Sequence, residues 1–146
     1  MDSRSILFRS GNVDFCNNSP DPEKYYSLFL TTGWNVEYCF TKEEIEYSIR
    51  HTWYTISAYS GNDLIGTGSI LSDGIHHALI VNMIVHPDFQ NKGIGTAILD
   101  LLIEKCKSCR IRDIQLFAAD TKCRFYKNSG FVVRPDSAPG MQFSLQ

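Results

Sequence analysis

The sequence has no excess of positive charge and no long hydrophobic run. Its 14 lysines and arginines are outnumbered by 16 aspartates and glutamates, so the formal net charge is −2. This balance argues against nucleic-acid binding, which relies on cations that neutralise phosphates. No stretch approaches the roughly 18 apolar residues that span a membrane, and no apolar secretory segment follows the N-terminus. We therefore expect a cytoplasmic protein without a membrane or nucleic-acid partner.

Cysteine is scarce and odd in number. Five cysteines in a chain without a visible signal peptide predict reduced thiols rather than disulfides. Cys106 and Cys109 have the spacing of a zinc-binding pair, but no second Cys or His pair follows at a suitable distance. We predict no metal site from this pattern.

The elements that the sequence does contain predict one α/β domain over residues 1–146. Hydrophobic residues make up 43% of the chain, which is enough for a core, and no repeat or linker interrupts it. We predict a mixed central sheet flanked by about four helices, with residues 78–85 as the central strand and residues 14–19 as a loop. The predicted strands are 4–8, 53–60, 64–72, 78–85 and 114–118, with a final hairpin of 131–133 and 141–144. The predicted helices begin near Asp21, Thr41, Gly93 and Asp120.

Residues 85–98 combine the most signals. They read as the end of an apolar strand, a polar turn, two glycines and an amphipathic helix. Gly93 and Gly95 let the backbone approach a ligand, and a helix start offers unpaired N–H groups and a positive dipole end. Together these features favour a phosphate or pyrophosphate. A P-loop pattern is absent, and a dinucleotide motif lacks its third glycine because Ile98 stands there.

The order of these residues is similar to one protein family. Gln90-x-x-Gly93-x-Gly95 resembles the acyl-CoA-binding motif of the GCN5-related N-acetyltransferases. Residues 116–119 and 125–131 resemble the second cofactor motif of that family, and residues 134–141 resemble a small-amine subgroup that includes plant serotonin N-acetyltransferase-like proteins. The resemblance implies a sheet whose fourth and fifth strands splay apart around the pantetheine of coenzyme A.

The resemblance also implies roles for particular residues. Tyr126 matches the tyrosine that protonates the departing coenzyme A thiolate. The oxyanion would form near the amide of Ile84 or Val85, and Asn128 or Lys127 would contact the coenzyme A tail. The expected acetyl-CoA contacts are Met83, Ile84, Val85, Gln90, Asn91, Lys92, Gly93, Ile94, Gly95, Thr96 and Asn128.

The sequence gives weaker evidence for the residues that bind the acceptor amine. The loop of residues 32–38 should line the pocket, with Trp34 and Tyr38 suited to an apolar amine and Glu37 to its ammonium group. A tryptophan in a loop also commonly anchors that loop to the core. No general base stands out. The candidates are His76, His77, Asp73, Glu37, Asn82 and a water relay.

These features predict an acetyl-CoA-dependent N-acetyltransferase. A small primary amine would attack the thioester directly in a ternary complex, with Tyr126 as general acid. One alternative is a non-catalytic acyl-CoA sensor on the same fold, and another is a transferase for a longer acyl group. A homodimer is compatible with the sequence.

Overall fold

A six-stranded mixed sheet with its strands in sequential order organises the chain. The computed structural model describes residues 4–145. No helix in that range is long and apolar enough to cross a bilayer. The elements are β1 (Ile6–Ser10), β2 (Val13–Cys16), α1 (Pro22–Leu30), α2 (Asn35–Tyr38), α3 (Lys42–Arg50), β3 (Tyr54–Ser60), β4 (Asp63–Ser72), β5 (His77–Val85), α4 (Ile94–Ser108), β6 (Asp113–Leu116) and α5 (Cys123–Asn128).

The starts of α1 and α3 confirm the predicted caps. The carboxylate of Asp21 accepts the Lys24 N–H at 3.1 Å, and a proline follows at the first helical position. Thr41 and Glu44 form a reciprocal capping box, with bonds of 2.8 and 3.2 Å. These local signals fix where both helices begin.

The N-terminal hairpin corrects one prediction. Residues 13–16 form β2, which pairs antiparallel with β1 and β3, whereas we expected residues 14–19 to be a loop. Gly11 has φ +57° in the two-residue turn, and Arg9 forms an ion pair with Asp14 across the two strands. The polar Asp14 is therefore compatible with an outer strand because Arg9 lies opposite it.

The sheet is covered by two separate layers of side chains. On one face α4 packs over residues that include Ile56, Ile70 and Ile80. On the other face α1 and α3 pack over Tyr59 and Ile84. Strand β5 contributes to both layers because an irregularity in its pairing with β4 shifts the alternation of side chains, so Ile80 and Ile84 point to opposite faces.

Strand β5 lies beside the edge strand β6 rather than at the centre of the sheet, which corrects a second expectation. Its apolar character has another cause: helices cover it on both faces. The link from β5 through α4 to β6 produces the predicted parallel pair.

The predicted final hairpin is wrong within the described residues. Residues 131–133 and 141–144 adopt no strand, although Ala138 N–H donates to Pro135 C=O in the turn between them. Pro135 and Pro139 have no N–H to donate and a fixed φ, which disfavours a ladder through this segment. Phe131 N–H instead donates to Tyr126 C=O at the end of α5, at 3.2 Å.

Candidate active site

The strands β5 and β6 diverge part-way along β5. Their pairing runs from His77–Asp113 to Ile80–Leu116, whereas β5 continues to Val85. His86 N–H donates to Ile65 C=O on the β4 side at 2.8 Å. By alternation, the backbone polar groups of Met83 and Val85 face the opening. An extended ligand can therefore pair with this stretch as an added strand does.

A β-bulge reshapes β5 at the same point. Val81 pairs with Ser69 and Ile84 with Thr67, so Asn82 and Met83 both lie opposite Gly68. Asn82 has the left-handed φ of +54°. Sequence reasoning did not find Gly68, although a glycine inside a strand is a recognised signal for a bulge or a close approach.

The turn after β5 presents backbone N–H groups. Asn91 and Gly93 adopt φ +60° and +81°, and Gly93 caps α4 without a side-chain bond. The amides of Ile94, Gly95 and Thr96 have no acceptor among residues 4–145. Three unpaired donors at the positive end of a 15-residue helix suit an anion.

Gly95 joins three elements of this region. A β-carbon at Gly95 would lie 3.6 Å from Cγ2 of Val85 and 3.4 Å from Cζ of Phe125. The diverging strand, the start of α4 and helix α5 therefore meet at this residue. No local signal in the sequence indicates that Phe125 contacts the motif.

Tyr126 is half-buried beside this junction. Its ring packs edge-to-face on Phe125 and Phe131, with centroids 4.9 and 6.1 Å apart. Burial raises the pKa of the Tyr126 phenol above its ordinary value of 10.0. Its hydroxyl has no hydrogen-bond partner in the described part of the chain. The group therefore stays protonated at neutral pH and has a proton to donate.

Gln90 and Lys92 contact the turn itself. The Gln90 side-chain amide donates to Val85 C=O at 3.0 Å, which ties the turn to the strand end. The Lys92 ammonium donates to Asp88 C=O at 3.2 Å and lies 5.2 Å from the centre of the Phe89 ring. Both residues therefore shape the turn, and Lys92 adds positive charge beside the backbone donors. Asn128 is exposed on the last turn of α5.

The three predicted acceptor residues share one side of α2. Trp34, Glu37 and Tyr38 are spaced i, i+3 and i+4, and all three are exposed. Trp34 also packs edge-to-face on Phe29, with centroids 6.1 Å apart. The anchoring interpretation of Trp34 thus has a direct contact behind it, while 40% of the residue stays exposed.

The structure separates the histidine candidates from this site. His76 and His77 lie at the start of β5, roughly 25 Å from Val85 at about 3.3 Å per residue. Asp73 accepts the N–H groups of Ile75 and His76, each at 2.8 Å, and these bonds lower its pKa. A base at that end of the strand is out of reach of the opening.

Comparison with known proteins identifies the family. The model of the Acetyltransferase (GNAT) family matches residues 19–131. The chain belongs to the GNAT family of acetyltransferases. This family of acyltransferase enzymes accounts for the diverging strands and for the paired motifs around Gly95 and Tyr126.

Individual GNAT relatives agree with this assignment. The uncharacterized N-acetyltransferase ycf52 of Porphyra purpurea is 32% identical over 103 residues, which are 68% of this chain and 59% of the relative. The chain thus spans about three fifths of that protein. Serotonin N-acetyltransferase 2, chloroplastic, of Oryza sativa subsp. japonica is 31% identical over 71 residues, 49% of this chain and 36% of that protein. A probable acetyltransferase of unknown function from Staphylococcus aureus has the same fold: TM-score 0.79, 23% identity, and coverage of 91% and 99% of the two chains.

Proposed function

We propose that this GNAT domain transfers an acetyl group from acetyl-CoA to a small primary amine. One observation supports this most: the open edge of β5 and the unpaired amides that begin α4 meet at Gly95, and the protonated Tyr126 packs on Phe125, whose ring lies against that glycine. A donor with an amide-containing arm and a pyrophosphate matches the first two features, and a thiolate leaving group matches the third.

Charge near the junction favours an anionic donor. The chain as a whole has a net charge of −2. In contrast, residues 120–136 contain four cations and two acids, and the turn after β5 adds Lys92 together with Asp88. These cations are Lys122, Arg124, Lys127 and Arg134. Such a local excess attracts phosphate groups without making the whole protein basic.

The reaction would proceed by direct attack. The amine nitrogen forms a bond to the thioester carbonyl carbon, the C–S bond breaks, and the amine proton passes to water. The Val85 N–H faces the opening, whereas the Ile84 N–H points to β4, so Val85 is the better oxyanion donor of the two. Tyr126 donates to the leaving thiolate and recovers its proton from solvent.

The raised pKa of Tyr126 affects how its hydroxyl interacts with the leaving thiolate. A phenol that is a weaker acid than usual favours a hydrogen bond to the thiolate over complete proton transfer early in the reaction. The role needs only that the hydroxyl reach the sulfur, since a charge-assisted bond stabilises the leaving group.

The acceptor would enter from the side of α2. Trp34 and Tyr38 offer aromatic faces, and Glu37 offers a negative charge to an ammonium group. Of the base candidates, Glu37, Asn82 and a water relay remain, because His76, His77 and Asp73 lie at the far end of β5. We propose the water relay. A cytoplasmic location also remains a prediction.

The test measures acetyl-CoA binding and release of free coenzyme A across polyamines, arylalkylamines, amino acids, aminoglycosides and lysine peptides. We expect turnover with one class of small amine. Binding without turnover on any amine would favour the sensor alternative, and faster turnover with longer acyl-CoA donors would favour the long-acyl alternative. No binding of acyl-CoA at all would overturn the proposal.

A further inference from the structure

Three metal-ligand side chains meet at the end of β5 remote from the donor site. Within residues 4–145, His76, His77 and Asp113 each bring one ligand atom to within 4.8 Å of the others. The two histidines come just before and at the start of β5, and Asp113 starts β6. Because His77 and Asp113 are register partners in the parallel pair, the backbone itself brings them together.

The cluster is held in place by its own hydrogen bonds. His77 Nδ1 lies 2.8 Å from Asp113 Oδ2, and the other Asp113 oxygen accepts from Gln115 Nε2 at 2.9 Å. Asp113 N–H donates to His76 C=O at 3.3 Å. Gln115 orients the ligand carboxylate, as outer-shell groups do in metal sites, and a bound ion would replace the proton that His77 and Asp113 share.

The two imidazoles lie on the same side of the chain. Their centroids are 3.7 Å apart with an interplanar angle of 30°. Adjacent residues of a regular strand would point to opposite faces, so this arrangement depends on the bend before β5. Asp73 Oδ1 fixes that bend by accepting N–H bonds from residues 75, 76 and 77 at 2.8, 2.8 and 3.2 Å.

We propose that His76, His77 and Asp113 form a binding site for a divalent transition-metal ion of the zinc type. Two imidazoles and one carboxylate are a donor set for zinc and its neighbours, whereas magnesium and calcium prefer several oxygens. Ligand atoms around tetrahedral zinc are roughly 3.4 Å apart, so the cluster needs only small side-chain rotations to close.

A metal ion can reach these three side chains from solvent, and three protein ligands leave one position of a tetrahedral ion open. His77 and Asp113 line a surface cavity of about 420 Å³, and both histidines are exposed. A bound ion would join β5 to β6 at the closed end of the pair, roughly 25 Å along β5 from the point where the donor is proposed to bind. It would therefore stabilise the sheet without taking part in acetyl transfer.

The experiment measures thermal unfolding and calorimetric binding of Zn²⁺ by tag-free, chelator-treated protein. Exposed Cys39 and Cys123 could bind zinc themselves, so the protein carries Cys39→Ser and Cys123→Ser throughout. We expect one zinc per chain and a rise in Tm of roughly 5–10 °C at about 100 times Kd. Mg²⁺ at the same concentration should cause no rise.

Matched variants locate the effect. His76→Gln retains the His77–Asp113 bond and the β5–β6 register, so it should fold and lose the zinc-dependent rise; Asp113→Asn should lose it too. His51→Ala should keep the full rise, because His51 lies elsewhere, stacked on Tyr47. No zinc-dependent rise in the parent protein, or a rise that persists in both cluster variants, would overturn the proposal. Neither result bears on acetyl-CoA binding, so the two proposals fail separately.

Discussion

Gly95 at the start of α4 lies against Phe125 of α5: a β-carbon added to the glycine would be 3.4 Å from Cζ of the ring. Phe125 in turn packs edge-to-face on Tyr126. The proposed phosphate-binding turn and the proposed acid are therefore in one packed unit, and a change at the turn can be passed to Tyr126 through a single ring.

A glutamate at Gly95 should abolish acetyl-CoA binding. The added carboxylate repels phosphate and its bulk meets Phe125, so we expect the Kd to rise by at least about 100-fold, equivalent to ~2.8 kcal/mol. Gly95→Ala is the matched control, because 3.4 Å is ordinary contact and alanine should fit. Gly93→Glu should lower affinity as well, through the added charge and through the strain that any side chain meets at φ +81°. Unchanged calorimetric affinity in both glutamate variants would refute the proposed phosphate position.

Removing the Tyr126 hydroxyl should affect turnover and spare donor affinity. For Tyr126→Phe we expect kcat to fall by about 100-fold or more, since general acid assistance contributes on that scale. Phe131→Leu, which changes a ring beside Tyr126 but no acid, is the control for repacking. Wild-type kcat in Tyr126→Phe would mean that solvent or another group protonates the thiolate.

The same tyrosine sets an expectation for the pH profile. The acid form is the active one, and burial raises its pKa above 10.0, so activity that depends on it is lost only as pH rises through that raised value. We expect kcat to show no decline caused by this group between about pH 7 and 9. A decline of kcat between about pH 7 and 9 that is absent in Tyr126→Phe would contradict the assignment of Tyr126 as the acid.

Trp34→Ala should raise the KM for the acceptor more than the KM for acetyl-CoA. The residue packs on Phe29 of α1, on the face of the sheet opposite α4, so its loss should spare the donor side. Phe8→Ala is the control for loss of a partly exposed aromatic residue, since β1 is the edge strand opposite β6. A larger change in the KM for acetyl-CoA would remove Trp34 from the acceptor site.

Gly68→Ala should destabilise the fold by about 1–3 kcal/mol through overpacking. A β-carbon there would lie 2.6 Å from Met83 Sδ, 2.7 Å from Ile98 Cγ2 and 2.9 Å from Leu102 Cδ1. Urea unfolding measures the effect, and Gly95→Ala again provides the comparison. If Gly68→Ala unfolds at the same urea midpoint as the wild type, the bulge region can rearrange to accommodate the methyl group, and this prediction is wrong.

Protonation of Asp73 should contribute to the loss of thermal stability at acidic pH. Its pKa is lowered mainly by the N–H bonds from Ile75 and His76, so its contribution is fully present above the ordinary value of 3.8 and is lost as pH falls through the lower folded pKa. The Tm advantage of wild type over Asp73→Asn should therefore be constant from about pH 5 to 7 and shrink below 3.8. A constant difference down to pH 3 would contradict this origin.

Local signals in the sequence predicted much of the fold. Asp21, Thr41 and Gly93 mark helix starts through bonds or backbone angles that lie within a few residues, so the sequence displays them directly. The glycine turn after β5 was predicted for the same reason, whereas Tyr126 was singled out by its resemblance to the family motif. The roles of individual site residues remain predictions.

Several features depend on contacts between separate elements, and the final hairpin failed for a local reason. The charge of Asp14 disfavours a strand, and the ion pair with Arg9 that compensates for it exists only once the hairpin has formed. The bulge at Asn82 depends on Gly68 in the neighbouring strand, and the contact of Gly95 with Phe125 depends on how α5 docks. The final hairpin was predicted from apolar residues alone, whereas Pro135 and Pro139 oppose the ladder.

Ile84 and Val85 are neighbours in sequence but belong to opposite sides of the sheet. Ile84 packs in the layer of Phe29, on which Trp34 rests, and Val85 contacts the glycine turn and α5 through Gly95. One strand thickness therefore separates the proposed acceptor side from the proposed donor side. Under this assignment, substitutions beneath α1 and α3 would alter acceptor choice and leave the donor half intact, so such a scaffold would acquire new substrates one layer at a time.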